Sequence, residues 1–261
     1  MILQKFTYYF NRFFIGKIYF FLPLSLRVFI KKFFFRHNST KKNLGMYLKK
    51  GVNLYLNNKS YLLYLIENYI KFLKIKNFLE LGFFSGIITR ILISRNYNLN
   101  YYGLDFDSDR ISYLKVFFKN KYDKINLDTL DLESKFDYSK FYKKDLIYCG
   151  SVLSSIQPES LNYFFKSCKK ASVKIIIIHD YKNNFNNSYK FQTKMQSKYI
   201  NGNWAHDYIY YAKKYYSSNI EIPDISDPFA TPNSLYVITN NISKKTHHHI
   251  ILTAMKNFYK N

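Results

Sequence analysis

In FLELGFFSGIITRIL, residues 78–92, Gly82 and Gly86 stand four apart between an apolar run and an amphipathic one. This spacing suits a strand that turns tightly into a helix. Gly82 permits the turn, and Gly86 lets the helix begin close to strand and ligand. The amides of residues 83–86 are then expected to face a polar or anionic group. Phe84 occupies the position where such loops usually carry a middle glycine, so its side chain must turn away from any bound cofactor; otherwise the loop is an ordinary connection. Asp105 ends the segment YYGLD, nineteen residues after Gly86, where a carboxylate can accept from both hydroxyls of a ribose. Asp107 and Ser108 in FDSDR are better placed to cap the following helix, which leaves Asp105 for another role.

Three further residues could move a proton. His179 and Asp180 follow an all-isoleucine run, and His206 follows Trp204 in NGNWAHDY. A hydroxyl that accepts a transferred group benefits from a base, and either histidine suits. Each equally suits a satisfied structural position, and Asp207 suits a helix cap. Asp180 could serve a metal, but no second carboxylate with ligand spacing accompanies it. Cys149 and Cys168 have neither metal spacing nor a disulfide framework, which fits a reducing, cytoplasmic setting. His247, His248 and His249 form either a small metal-binding tract or part of a solvated tail.

The elements that must position these residues alternate. Strand NFLEL precedes a helix over 86–95, and strand YYGLD (101–105) precedes a helix over 108–121. KINLDTL and DLIYC (145–149) are strands, 158–170 is a helix, and VKIIIIH (173–179) is a strand. Alternation at this spacing predicts a parallel sheet covered on both faces. Residues 189–216 are expected to be helical, and IEIPDI and SLYVIT to form a final antiparallel edge pair.

The formal net charge of +23 is unevenly spread. Residues 1–66 carry twelve Lys/Arg and no Asp/Glu, and 241–261 carry four basic residues and no acidic one. Such ends suit anionic lipid as well as nucleic acid, although enrichment in Lys, Asn, Ile, Tyr and Phe throughout the chain gives the same excess without a partner. Residues 1–36 combine thirteen aromatics with seven basic residues, and their longest uncharged run, IYFFLPLSL, is far too short to span a bilayer. From Pro23 a helix would gather Leu26, Phe29, Ile30 and Phe33 on one face and Arg27, Lys31, Lys32 and Arg36 on the other. That suits an anionic membrane surface, or packing on a neighbouring domain or second subunit.

FLELGFFSG, GLD at the second strand, LDTLDLE at the third and DLIYCGSVLSSI at the fourth together resemble the class I S-adenosylmethionine-dependent methyltransferases, over roughly residues 60–240. The resemblance implies a doubly wound α/β fold, a mostly parallel seven-stranded sheet with an antiparallel final strand, preceded by an N-terminal helical extension (1–59) and followed by a basic tail (241–261). It implies S-adenosyl-L-methionine as cofactor, with Glu80 and Gly82 near its methionine part, Gly86 in the loop and Asp105 on the ribose. Asp131, or else Asp128, would lie near the adenine, with Cys149 to Ser151 lining the cleft. CGSV stands where enzymes methylating base amino groups carry Asn/Asp-Pro-Pro-aromatic, so those substrates are disfavoured. The basic aromatic start before such a core resembles small-molecule methyltransferases of surface-polysaccharide synthesis. The expected acceptor is accordingly a sugar or lipid-linked sugar hydroxyl, at or near the inner membrane face. RNA methylation and a noncatalytic scaffold are the alternatives.

Overall fold

Ile175–Ile178 offer no polar face, and all four side chains are fully buried at the centre of a sheet. The structure, a computed structural model, describes residues 60–119, 124–133, 138–181, 197–200, 203–223, 233–240 and 242–260, together with Leu26 and Leu48. Its strands are β1 (Asn77–Leu81), β2 (Asn100–Asp105), β3 (Ile125–Thr129), β4 (Leu146–Gly150), β5 (Ile175–Tyr181), β6 (Ser197–Ile200), β7 (Asn203–His206), β8 (Ser218–Pro223) and β9 (Asn233–Thr239). The helices are α1 (Tyr61–Phe72), α2 (Ile87–Ser94), α3 (Ser108–Phe118), α4 (Pro158–Lys170), α5 (Tyr208–Ala212) and α6 (Lys244–Lys260). Seven strands form one sheet in the order β3-β2-β1-β4-β5-β9-β8, and β6 and β7 pair separately. Strands β1 to β5 run parallel, and β9 is antiparallel to both β5 and β8. This is the doubly wound, mostly parallel sheet expected, and its order reverses between β1 and β4.

Side-chain alternation divides the core. Leu79, Leu81, Ile147, Cys149, Ile176 and Ile178 face α4 and α5. Phe78, Tyr101, Leu146, Tyr148, Ile175 and Ile177 face α1, α2 and α6. Because both faces are covered, the central strands carry almost no polar residues. Helix α4 begins with Pro158 in its first turn beside Glu159 and ends on Lys169 and Lys170, matching both the proline preference and the helix dipole. Helix α3 is capped by Asp107, whose Oδ1 accepts from the amides of Asp109 and Arg110.

Two expectations about the C-terminal third are corrected. The described residues within 189–216 are not mainly helical: β6 and β7 pair antiparallel, with Ile200 opposite Asn203, before the short α5. The Asn201-Gly202 dipeptide between two β-rich tetrads is a hairpin signal that outweighs helical periodicity. The stretch 241–261 is not a solvated tail. It contains α6, which packs on α1 and buries His247, Ile250 and Ala254. His248 and His249, one position on, are exposed. The interfacial helix expected from Pro23 lies outside the described residues except for Leu26, which is helical and exposed. Leu48, by contrast, is buried with Phe83, Ile111, Leu114, Phe118 and Leu127, and its carbonyl accepts from Arg90 Nη2 at 2.8 Å. Among the described residues no helix is long and apolar enough to cross a membrane.

His247 joins three elements. Its Nδ1 lies 2.7 Å from the Tyr69 hydroxyl of α1, and its Nε2 lies 3.2 Å from the Thr239 hydroxyl of β9, all of them buried. Removing the imidazole strands two buried hydroxyls. His247→Ala is expected to lose about 2–3 kcal/mol in urea denaturation, with His248→Ala and His249→Ala within about 0.5 kcal/mol of the parent. Equal effects at the three positions would return this segment to the status of a tail.

Candidate functional site

The turn after β1 is hooked onto β2. The amides of Gly82 and Phe83 both donate to the Leu104 carbonyl, at 2.8 and 3.0 Å. Gly82 has φ +72°, and a Cβ there would sit 2.8 Å from Cβ of Val152 in the loop after β4. Both facts require glycine. Phe83 is fully buried, with its ring wedged beneath the loop; a Cβ on Gly86 would meet that ring at 2.1 Å, and one on Gly103 of β2 at 2.2 Å. Gly86 therefore makes room for Phe83. The expectation that the amides of residues 83–86 face a ligand is corrected at three of the four: Phe83 donates to Leu104, Gly86 to the Phe83 carbonyl, and Phe84 to a carboxylate.

That carboxylate is Asp105, at the carboxyl end of β2 and 3% exposed. Its Oδ2 accepts from Phe84 N–H at 3.0 Å and its Oδ1 from Asp107 N–H at 3.1 Å. Arg110 Nη1 donates to both oxygens at 3.0 Å. Capping by Asp107 does leave Asp105 out of that role, as expected, but Asp105 is engaged elsewhere. Phe84 has φ +40°, in the left-handed region that costs a side chain about 1–2 kcal/mol. Its ring turns to α3, packing beside Phe83 and Ile111 with the Arg110 guanidinium 4.9 Å from its centre. Sequence reasoning missed Arg110, yet the signal was present. With Asp107 as cap, Arg110 falls in the first helical turn, whose side chains lean back towards the helix start and so towards the strand end. Phe106, beside Asp105, was missed as well, and 58% of its surface is exposed.

The remaining predicted cofactor residues are placed as follows. Glu80 is buried under α2, where its Oε2 accepts from Thr89 N–H at 2.9 Å and Thr89 Oγ1–H at 2.7 Å. It thus caps the helix start that Gly86 cannot, and burial raises its carboxyl to about 7. Cys149 does not line an open cleft. Its side chain is wholly buried, and desolvation followed by the nearby Asp180 charge pushes the thiol well above its usual range. Asp131 is partly exposed, with Oδ1 accepting from Glu133 N–H. Leu130 N–H donates to the Asp105 carbonyl at 2.8 Å, which keeps Asp131 beside the β2 end.

The three proton-transfer candidates are separated by strand alternation. His179 pairs with Gly150 across β4–β5 and is partly exposed at the carboxyl edge; its carbonyl accepts from Ser151 N–H at 2.8 Å. Asp180 points to the opposite face, 1% exposed, where its Oδ2 accepts from Ser154 N–H and the Tyr208 hydroxyl, each at 3.0 Å. His206 is fully buried, with Nε2 3.2 Å from the carbonyls of both Leu153 and Ile156. Carbonyls only accept, so Nε2 carries the proton and Nδ1, 2.8 Å from Ser197 Oγ, accepts. In this geometry His206 holds the turn after β4 in place, and burial lowers its pKa to about 3. Two concavities among the described residues measure about 690 and 600 Å3. The first is lined by Tyr216, Asn219 and Ile251; the second, lined by Leu104, Asp128 and Lys140, adjoins the ends of β2 and β3.

His206 gives the site a pH signature. A neutral buried histidine contributes stability that is complete above the unfolded value of about 6.5 and is lost as pH falls towards the folded value of about 3. Glu80, raised to about 7, has the opposite slope between its unfolded and folded values. Comparing parent with His206→Gln cancels Glu80. Their difference in unfolding free energy is expected to shrink by about 1.4 kcal/mol per pH unit below pH 6.5. A difference constant from pH 7 to 5 would mean that His206 is accessible to protons.

No family sequence model and no curated protein matches the chain. Solved structures do. The methyltransferase domain of bacterial CtHen1-CN aligns with TM-score 0.50 and 18% identity, over 69% of this chain and 97% of that one. The N-terminal domain of EvdMO1 with SAH bound aligns with TM-score 0.52 and 13% identity, over 67% and 79%. The same domain, solved in the presence of SAH and D-fucose, gives 0.52 and 14%, over 67% and 80%. With the strand order and the reversed β9, these likenesses show that the described sheet and its helices have the class I methyltransferase fold.

Proposed function

We propose that this chain is an S-adenosylmethionine-dependent methyltransferase that methylates a hydroxyl of a sugar or related small acceptor. The observation that carries the reading is Asp105, a carboxylate at the carboxyl end of β2 beside the crevice where strand order reverses, the place at which open α/β sheets bind ligands. Exposed Phe106 adds an aromatic face for a nucleobase next to it, and Asp131 adds a carboxylate. These residues fit a nucleoside once Asp105 is released to it. That one EvdMO1 structure was solved in the presence of D-fucose is in keeping with a sugar acceptor.

When bound, S-adenosylmethionine supplies an electrophilic methyl group on a sulfonium. The protein's share is then largely the alignment of the acceptor oxygen with that methyl. His179, alone of the three candidates in being partly exposed at the carboxyl edge, accepts the hydroxyl proton in this reading. Asp180 and His206 act through packing: they hold the segment Ser151–Ile156, which bounds the site on the β4 side. In the same reading residues 1–36 bring the domain to an anionic membrane surface carrying lipid-linked sugars, on the strength of their sequence pattern alone.

Asp105→Ala removes the carboxylate that holds the β1–α2 loop and the turn after β2 as well as the diol acceptor. It is expected, chiefly through that loop, to weaken S-adenosylhomocysteine binding at least about tenfold in a calorimetric titration, with the far-ultraviolet spectrum unchanged. Unaltered affinity would sink the nucleoside reading. His179→Gln is expected to slow methyl transfer to a sugar panel by about 10²–10⁴-fold while leaving cofactor affinity within about threefold. If the parent labels RNA and no sugar, the acceptor assignment goes and the fold-level chemistry stays.

A further inference from the structure

We infer that Arg110 is a latch on the nucleoside site: it bridges the two oxygens of Asp105 that a ribose diol would otherwise bridge, so a nucleoside must displace it to bind. The inference rests on the methyltransferase reading above and adds to it the residue that sets how readily the site opens.

The geometry balances donors against acceptors. An ionised carboxylate has about four acceptor positions. In Asp105 two are taken by backbone amides, Phe84 N–H on Oδ2 and Asp107 N–H on Oδ1. The edge between the two oxygens is covered by Arg110 Nη1, 3.0 Å from each. The amides belong to the β1–α2 loop and the start of α3 and cannot leave without moving the backbone. The guanidinium sits on a rotatable side chain and can. A cis-diol, with two O–H donors, would bridge the same two oxygens. Side-chain exposure of the pair is 8% for Arg110 and 2% for Asp105, so water does not already fill the ribose position on this carboxylate.

The guanidinium also has somewhere to go. Arg110 Nη2 lies 3.5 Å from Asp107 Oδ2, and the rings of Phe84 and Phe106 lie 4.9 and 5.8 Å from the guanidinium carbon. A small rotation exchanges Asp105 for Asp107 and keeps the cation between a carboxylate and two aromatic faces. Phe84 thereby gains a role that glycine could not fill: its ring supports the latch in both positions. It follows that the diol adds little net affinity in the parent protein, because each hydrogen bond it makes replaces one already present.

The test is a two-by-two titration by calorimetry on the full chain. The proteins are the parent and Arg110→Met, which keeps a long apolar stem over Phe84. The probes are adenosine and 2′,3′-dideoxyadenosine, with S-adenosylhomocysteine as reference. In the parent, loss of the diol is expected to weaken binding by less than about fivefold, whereas in Arg110→Met it weakens binding at least about tenfold further. S-adenosylhomocysteine is expected to bind Arg110→Met at least about tenfold tighter than the parent. If S-adenosylhomocysteine binds both proteins equally, or the variant more weakly, the latch is overturned and the methyltransferase reading survives. If it binds neither, both are overturned. Should Arg110→Met not fold, Arg110→Gln replaces it with the same expected order. The parent alone still decides, since a diol worth more than about fiftyfold there contradicts a site already filled by arginine.

Discussion

The carboxylate of Asp105 ties three pieces of chain to one point. Through Phe84 N–H it holds the β1–α2 loop, through Asp107 N–H the turn after β2, and through Arg110 the first turn of α3. A buried carboxylate is tolerated only when its acceptors are matched by donors, and these three segments supply them. Their mutual placement is therefore a consequence of satisfying one charge. Asp105, to which the proposed reading gives the ligand, thus organises its own surroundings.

The opposite face of the sheet uses a similar device without an exposed member. Asp180 accepts from Ser154 N–H and Tyr208, and His206 donates to Leu153 and Ile156 while accepting from Ser197. Burial first, and the Asp180 charge second, raise the Tyr208 phenol well above its usual range, so it remains a donor. The turn after β4 is thus set by side chains from β5, from the β6–β7 hairpin and from α5. Polar residues that look catalytic in isolation are placed here to fix a loop. Only His179, on the alternate face of β5, keeps contact with the carboxyl edge.

Glycine in the first loop answers to the protein interior. Gly86 and Gly103 flank the Phe83 ring, and Gly82 meets Val152. An aromatic side chain folded under the loop replaces the ligand as the reason for small residues above it. Phe84 is the complementary case, because its left-handed backbone is held by the hydrogen bond that its N–H donates to Asp105 and by the guanidinium 4.9 Å from its ring centre.

Periodicity and local chemistry were enough to specify the alternating strands and helices, the burial of Ile175–Ile178, the cap at Asp107 and the position of Asp105 at a strand end, because each depends on neighbours within one turn or one strand. The hairpin at 197–206 was legible in Asn201-Gly202 but was overridden by a helical reading of the longer stretch. The partners of buried polar groups were not legible. That Glu80 caps α2, that His247 joins Tyr69 to Thr239 across 178 residues of chain from the former, and that Arg110 closes on Asp105 are matters of which donor comes nearest in space. Side-chain type states what a group can donate or accept. Only the tertiary structure, by setting distance and excluding water, decides whether that capacity is spent on the fold or left for a ligand.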